Sequence, residues 1–509
     1  MLITRCKNKE EIINTLKEKK CLILKCFGCK EVYFPEEEID SILREAKGKI
    51  DNKGRFDYLC REEYVKKYLK YFKKDLGNIE CVVVFSCGVG VQVVSKIIPE
   101  IPVIPGCDTY YINGFQGLTA QDIDCQQCGE CRLNMTGGIC PLTSCPKGLL
   151  NGPCGGAKNG KCEVNPEIDC GWVLIYERLK KMSKLNLLYE YQNPRDFHKF
   201  ETNKTLKKNI DNNKGIRMGI SNFQKKLSEG KFVITSEIGP PKGTNLEFLK
   251  ETDILKDKVD AFNVTDLQSS VMKLGSLATC HLLIDRGFEP IFQITCRDRN
   301  RLALQSDLLS AYVLGIKNVL CLTGDHTTLG DHPESKPVFD LDSVLLLKVA
   351  STLMEGKDMA GNELDGKPEF FLGAVVNPGY EPLELQLIKM EKKIEAGAKF
   401  FQTQAVYDLG VFEKFMKEAE KFKVPILGGI VLLKSAGMAK YMNENVAGVT
   451  VPERYIGMMA KAEKKERPKV SIEIAAELIK GMKDMCQGVH IMPLGWDRYV
   501  PDVLEKVKM

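Results

Sequence analysis

Pro290-Ile-Phe-Gln-Ile-Thr-Cys296, the helix-like stretch Arg299–Gly315 and Val319-Leu-Cys-Leu-Thr-Gly-Asp325 decide the fold of the second half of this 509-residue chain. Each apolar run is short, rich in β-branched and aromatic residues and closed by polar ones, which is how a strand buried on both faces reads. The stretch between them is long enough for a crossover, so together they make a β-α-β unit with parallel strands. The alternation continues in both directions. Apolar runs stand at Phe232–Glu237 and Ala261–Asp266 before it, and at Phe370–Pro378, Lys399–Gln404, Pro425–Leu433 and Val489–Pro493 after it. Further helix-like stretches lie at Leu383–Gly397 and Val411–Phe422. Eight such strands alternating with helices predict an α/β chain with a C-terminal (β/α)8 TIM barrel, the competing architecture being an open doubly wound sheet. No Gly-x-Gly-x-x-Gly follows a strand, and Gly428-Gly429 inside a run reads as close backbone packing.

Seventy-three Lys/Arg balance 68 Asp/Glu to a net charge of +5, which gives no reason to expect a nucleic-acid partner. The absence of an uncharged apolar run of about 18 residues predicts no membrane span. The opening Met1-Leu-Ile-Thr-Arg-Cys6 has no apolar signal core, so a cytoplasmic location is expected.

Sixteen of the 20 cysteines fall between Cys6 and Cys170, whereas none of the five histidines precedes His198. Reduced thiols this dense point to metal ligation, and a metal there must be held by thiolate: iron–sulfur clusters or all-cysteine zinc. Cys125-x2-Cys128-x2-Cys131 is a ferredoxin-like spacing, and Cys140, Cys145, Cys154, Cys162 and Cys170 bring the count to eight in 46 residues. Eight thiolates suffice for two [4Fe-4S] clusters, with zinc knuckles as the alternative. Cys26-x2-Cys29, Cys60, Cys87 and Cys107 form a looser set. Cys21–Cys26 and Cys81–Cys87 are β-rich runs with charged, helix-like segments after them, so residues 1–112 read as a small α/β domain. Residues 113–190 read as a cysteine-rich segment needing a metal staple. The polar stretch 191–217 reads as a linker, and 218–509 as the barrel.

A TIM barrel places its active site at the C-terminal strand ends. Read in order, these are Glu237, Thr265-Asp266, Thr295-Cys296, Thr323-Gly324-Asp325, Asn377 and Gln404, a polar mouth with little cationic charge. With so few histidines, proton transfer falls to carboxylates. Glu237 before Gly239-Pro240-Pro241 is the candidate general acid.

Thr235-Ser-Glu-Ile-Gly-Pro-Pro241, Phe262-Asn-Val-Thr265, Gln293-Ile-Thr-Cys-Arg-Asp-Arg-Asn300, Leu322-Thr-Gly-Asp325 and Phe401-Gln-Thr-Gln404, in this order, resemble the methylenetetrahydrofolate reductases. The resemblance runs from about Phe223 to Trp496 and implies a flavin-binding barrel that reduces 5,10-methylenetetrahydrofolate to 5-methyltetrahydrofolate. It implies that Glu237 protonates the folate, that Asp325 binds the pterin and tunes the flavin, and that Gln404 contacts the pterin. It also implies that Thr265, Gln293, Thr295, Thr323, Gly324, Phe339, Val375, Asn377 and Lys393 line the flavin. Two positions depart from the family pattern. Thr323 stands where an arginine is usual and Gln293 where a histidine is usual, which leaves FAD and FMN both open.

Leu149-Leu-Asn-Gly-Pro-Cys-Gly-Gly156, Gly160-Lys-Cys-Glu-Val164 and Cys170-Gly-Trp-Val-Leu-Ile-Tyr-Glu-Arg-Leu179 resemble the cysteine-rich partner subunit of such reductases from anaerobic acetate-forming bacteria, here fused to the flavin subunit. Fusion implies electrons entering through clusters from reduced ferredoxin or another low-potential carrier, with a homo-oligomer possible. The competing readings are an NAD(P)H-dependent reductase with a zinc-stapled first half, a first half that only docks an electron-transfer complex, and, more distantly, a corrinoid or homocysteine methyltransferase.

Overall fold

The computed structural model describes residues 2–507 apart from 28, 30–31, 47–49, 73–75, 111–124 and 198–218. Two compact units emerge, one of Met1–Leu150 with Asp169–Lys207, the other of Asn151–Ile168 with Lys208–Met509. The second half of the cysteine-rich segment is therefore divided: Asn151–Ile168 groups with the barrel. Of the expected linker, 198–217 lies outside the described residues.

The first unit is a small α/β fold. Strands β1 (Leu2–Cys6), β2 (Cys21–Phe27), β3 (Val32–Tyr33), β4 (Ile50–Asp57), β5 (Cys81–Phe85), β6 (Val103–Pro105) and β7 (Cys107–Tyr110) form two sheets. A four-stranded sheet runs β4-β2-β5-β6, all parallel, and a three-stranded one runs β3-β1-β7. Alternation along the central strands feeds two cores. Leu22, Leu24, Val82 and Val84 face one, with Val65 and Leu69 of helix Glu62–Leu69 and Val91 and Val94 of helix Gly88–Ile97. Ile23, Val83 and Phe85 face the other, with Leu16 of helix Lys9–Glu18 and Ile39 and Leu43 of helix Glu36–Glu45. From Cys125 to Leu150 regular structure nearly stops: a one-turn helix, Pro141–Ser144, sits among turns whose glycines 129, 137, 138 and 148 all have positive φ. Helix Gly171–Lys181 then buries Trp172, Ile175, Tyr176 and Leu179 on one face.

In the second unit, β8 (Val233–Ile238), β9 (Ala261–Val264), β10 (Pro290–Thr295), β11 (Asn318–Leu322), β12 (Phe371–Val376), β13 (Phe400–Ala405), β14 (Ile426–Val431) and β15 (Gly488–Met492) close into an eight-stranded barrel. Every neighbouring pair is parallel, β15 returning to β8. All eight expected strands are present, and the open sheet is excluded. The barrel interior is layered. At the N-terminal end, Phe223 of helix Asn222–Ser228 plugs the opening against Phe371 and Phe400, with ring centroids 5.9 and 5.1 Å away. Phe400 fits because Gly373 beside it has no side chain; a Cβ there would lie 2.2 Å from the ring. Gly429 likewise lets the backbone of Thr403 approach, its would-be Cβ standing 2.4 Å from that carbonyl.

Above the aromatic plug lies a polar layer. Asn263 and Gln402 exchange two amide hydrogen bonds of 2.7 and 3.0 Å, and Gln402 donates to Thr235 Oγ1 at 3.3 Å. The side chains above this layer form the mouth. Among the described residues no helix is long and apolar enough to cross a membrane.

Candidate active site and cysteine sites

Glu237 ends β8 with its carboxylate enclosed, 7% exposed, and accepts a 3.0 Å hydrogen bond from Gln268 Nε2. Gln268 comes from a tight turn after β9 in which Leu267, Ser269 and Ser270 all have positive φ, a strained backbone of the kind that accumulates at functional sites. On its other side, Glu237 Oε2 lies 3.9 Å from Nε2 of His490, and His490 Nδ1 shares a 2.9 Å hydrogen bond with Thr235 Oγ1. His490 sits opposite Thr235 in the β15–β8 register, so its ring is held from both ends of the imidazole. Sequence reasoning passed over this histidine. The available signal was its place inside an apolar strand, in phase with the inward positions. Asp497, also overlooked, lies close enough to Glu237 to feel its charge; burial first, then Glu251 and Glu237, push its carboxyl up to about 6.

The mouth is more cationic than expected. Arg297, 1% exposed, donates to the Leu267 carbonyl at 3.3 Å and the Asp325 carbonyl at 3.2 Å, tying together the loops after β9 and β11. A buried cation from β10's end thus stands beside Thr323-Gly324-Asp325, where the family's usual arginine is missing. Gly324 has φ +90°, and a Cβ there would press on Thr295 at 3.0 Å and Arg297 at 3.3 Å. The Asp325 carboxylate is half-buried and makes no hydrogen bond or ion pair among the described residues. Thr295 is fixed by Asp266, which accepts from its amide and hydroxyl at 2.9 and 2.8 Å and also pairs with Arg299.

Helix Leu383–Glu395 adds three buried lysines, Lys389, Lys392 and Lys393. Lys389 donates to the carbonyls of Gly152 and Pro153, and Lys392 to Asn151 Oδ1 at 3.1 Å, so the segment Asn151–Ile168 is seated on this helix. Lys393 donates to the carbonyl of Val375, near the end of β12, at 2.6 Å. Burial, with the charge of Lys389 alongside, pulls the Lys393 ammonium down to about 7. Asn377 is committed to the protein's own backbone, donating to Gly155 and Ala447. Gln404 bonds its own neighbour, the Ala405 amide, through Oε1. Phe339 stacks on His326 in the loop after β11, Thr323 accepts from the Ser343 amide, and Thr265 lies against the Ile238 carbonyl. The side-chain amide of Gln293 makes no hydrogen bond among the described residues. A buried lysine hydrogen-bonded to a carbonyl, a free amide and a glycine-flattened backbone at adjoining strand ends suit a large, flat, anionic cofactor such as a flavin.

Cys125, Cys128, Cys131 and Cys140 line one cavity in the first unit, with Gly88, Gln92 and Thr109. Backbone amides point at the sulfurs: Gln127 N lies 3.4 Å from Cys125 Sγ, and the Leu133 amide faces Cys131. Burial pushes the Cys131 thiol up to about 12, and Cys125 rises in the same direction for the same reason. Among the described residues no three His, Cys, Asp or Glu side chains are placed to hold a single metal ion. One zinc with bonds of about 2.3 Å would draw its thiolates to within about 4 Å of one another, whereas a cubane takes one thiolate at each of four irons and spreads them wider. Four cysteines ringing a cavity without closing on a point are compatible with a cubane. The other four divide between the units. Cys145 and Cys170 stand on abutting segments of the first, where a Cβ on Gly171 would meet the Ser144 carbonyl at 2.6 Å. Cys154 and Cys162 belong to the segment that packs in the second unit.

Residues 222–508 match the family described as methylenetetrahydrofolate reductase. The chain belongs to this family. Residues 104–198 match a second family, methylene-tetrahydrofolate reductase C terminal. Among curated proteins, methylenetetrahydrofolate reductase 2 of Schizosaccharomyces pombe is 26% identical over 310 residues, 57% of this chain and 47% of that protein, so the chain spans about half the length of this relative. Among solved structures, an uncharacterized protein from Clostridium thermocellum that binds two copies of 5-methyl-5,6,7,8-tetrahydrofolic acid is 18% identical, covering 57% of this chain and 98% of that one at a TM-score of 0.40. A 2,3-dimethylmalate lyase of the PEP mutase/isocitrate lyase superfamily is 9% identical, covering 57% and 89% at a TM-score of 0.32.

Proposed function

We propose that this chain reduces 5,10-methylenetetrahydrofolate to 5-methyltetrahydrofolate, with flavin held in the barrel mouth and electrons supplied through thiolate-bound iron–sulfur clusters by reduced ferredoxin or a similar low-potential carrier. The observation that carries the reading is the enclosed Glu237, bracketed by Gln268 and His490, within a family whose substrate needs a proton before it can accept hydride. The net change is one hydride added to the methylene carbon and one proton added to N10, with the bond between that carbon and N10 broken. When bound, the flavin supplies the hydride. Glu237 supplies the proton to N10 as the five-membered ring opens, which leaves an electrophilic iminium at N5. His490, oriented by Thr235, is placed to return a proton to Glu237 for the next turnover. Asp325 presents a free carboxylate to the amino-pyrimidine edge of the pterin, where Gln404 adds its remaining amide hydrogens. Lys393, Gln293, Thr265, Thr295, Thr323, Gly324, Phe339 and Val375 would hold the flavin. Asn377 supports the loops around it. Cys125, Cys128, Cys131 and Cys140 would hold one cluster, and Cys145, Cys154, Cys162 and Cys170 complete the set of eight thiolates that the sequence offers for two.

Glu237→Gln tests the acid directly. Removing a positioned proton donor costs about 10²- to 10⁴-fold in turnover. Flavin content and substrate affinity should be preserved, because glutamine keeps the shape. Iron, sulfide and flavin are assayed together on anaerobically purified protein. Zinc without sulfide, and turnover on NADH alone, would replace the cluster route with a nicotinamide one.

A further inference from the structure

The parallel sheet of the first unit has the strand order β4-β2-β5-β6, so the chain steps from β2 to one side and then crosses back to the other. Open α/β sheets bind ligands outside the carboxyl ends of their strands, at the point where that reversal opens a crevice. Here the reversal lies between β2 and β5, and cysteines occupy every strand end around it. Cys26 is the penultimate residue of β2, Cys29 follows two residues after its end, Cys60 follows β4, and Cys87 follows β5 as the N-cap of helix Gly88–Ile97.

The four sulfurs are mutual neighbours. Burial pushes the Cys26 thiol up to about 12, and the charges of Cys87, Cys60 and Cys29 add to it. Cys87, pushed up to about 11 chiefly by burial, also feels Cys60 and Cys29, and Cys60 feels Cys29. All six pairings are thereby represented. Backbone amides face the sulfurs, Leu59 towards Cys26 and Val89 and Gly90 towards Cys87, as amides do where sulfur must carry negative charge. Packing alone does not account for the set. Cys26 is buried and could serve as a small hydrophobe, but Cys29, Cys60 and Cys87 are only partly buried, on loops that no core demands. The other cysteines of this half sort differently. Cys21 lies 3.0 Å from Cys81 across the β2–β5 register, and Cys107 is paired with Cys6 across β1–β7, so Cys107 drops out of the looser set.

We propose that Cys26, Cys29, Cys60 and Cys87 hold a further [4Fe-4S] cluster at the switch point of this sheet, beside the one assigned to Cys125, Cys128, Cys131 and Cys140. The two sites share a wall. Gly88, directly after Cys87, is so close to the neighbouring set that a Cβ on it would lie 2.6 Å from Cys125 Sγ. Neither matching family extends to Cys26, Cys29, Cys60 or Cys87, since the matches begin at residues 104 and 222. The choice of iron–sulfur over zinc rests on the electron route proposed above and on the lack, among the described residues, of any three ligands closed around one point.

The test uses the full chain, purified anaerobically and reconstituted with ferrous iron and sulfide. Wild-type protein should carry about twelve irons and about twelve sulfides, four for each of three cubanes. The double variant Cys29→Ser, Cys60→Ser should lose about four of each and one of the reduced-state paramagnetic signals, and Cys21→Ser should lose none. A double variant with the wild-type iron and sulfide content overturns the proposal, as does one equivalent of zinc, present in the wild type and lost with the substitutions. Should the double variant not fold, alkylation of wild-type Cys29 decides. The half-buried thiol should be protected until iron is chelated, and equal labelling before and after chelation overturns the assignment. The matching Cys128→Ser, Cys131→Ser variant reports on the other cluster, so failure of the electron route and failure of this site give different iron losses.

Discussion

Replacing Gln402 by Met should destabilise the barrel far more than replacing Gln402 and Asn263 together. The two amides face each other inside the barrel, 2% and 0% exposed, and the pair of bonds between them is the only hydrogen bonding of the Asn263 side chain among the described residues. Methionine nearly matches glutamine in volume, so little cavity energy enters. What remains is Asn263 with one donor and one acceptor buried and unmatched, each costing about 1–3 kcal/mol, or about 2–6 kcal/mol in all. At about 2–4 °C per kcal/mol for a large domain, a middle value of about 4 kcal/mol lowers the barrel's melting temperature by roughly 8–16 °C. Asn263→Leu alone strands the Gln402 side-chain oxygen, while its amide nitrogen keeps Thr235 as acceptor, so its cost should be smaller. The double variant Asn263→Leu, Gln402→Met strands neither and should return to within about 1 kcal/mol of wild type. Calorimetry of the full chain, following the barrel transition of the four proteins, measures the coupling. Losses that simply add would refute the reasoning, as would a Gln402→Met variant melting with wild type. Gln402 also holds Thr235, which holds His490, so the single variant should lower turnover more than substrate affinity.

Lys393→Met removes an ammonium that a bound flavin would charge, so flavin affinity should fall roughly 10- to 150-fold, corresponding to a charge-assisted bond of about 1.5–3 kcal/mol. In the wild type, affinity should weaken as pH rises through about 7, where Lys393 loses its proton, whereas the variant should be flat over that range; a parallel pH profile in fluorescence titrations would exclude the role. Asp497 is raised to about 6, so its ionisation costs the native state and stability should decline as pH climbs from about 4 to about 6. Asp497→Asn should therefore melt higher at pH 7.5, by about 1–2 kcal/mol after allowance for partial exposure, and level with wild type at pH 4. Gly373→Ala drives a methyl into the Phe400 ring and should cost about 1–3 kcal/mol, visible as a lower melting temperature.

The barrel was legible because each strand is a short apolar run with a polar end, a pattern that survives without tertiary information. The errors were at the ends: the run expected to reach Asp325 leaves the ladder at Leu322, because Gly324 turns the chain at positive φ. Within the site, Glu237 and Asp325 stood out as carboxylates after apolar runs, but His490 was hidden by lying inside one. Lys389 and Lys392 were obscured by composition, whereas Lys393 was reached through the family resemblance alone. A helix written Leu-Ile-Lys-Met-Glu-Lys-Lys reads as solvent-facing at its lysines, and it is the docked segment Asn151–Pro153 that supplies partners for Lys389 and Lys392. The cysteine grouping was illegible for a topological reason. Cys87 and Cys125 are far apart in sequence and become neighbours only through Gly88, and Cys26, Cys29, Cys60 and Cys87 meet only when three parallel strands are laid in their non-sequential order.

Between Leu150 and Asp169 the backbone makes an excursion, leaving one compact unit, anchoring on the other and coming back. A protease cut or an engineered chain break in the polar stretch after residue 197 would consequently not yield two independent pieces. The N-terminal fragment would keep an arm clamped to the helix Leu383–Glu395, through the amines of Lys389 and Lys392 and the Asp342 carboxylate that receives the Asn151 amide. The barrel expressed from residue 218 onward would instead expose ammonium groups that the intact protein keeps covered. A faithful minimal barrel is therefore a two-part object, and the arm is as much a component of it as any of its strands.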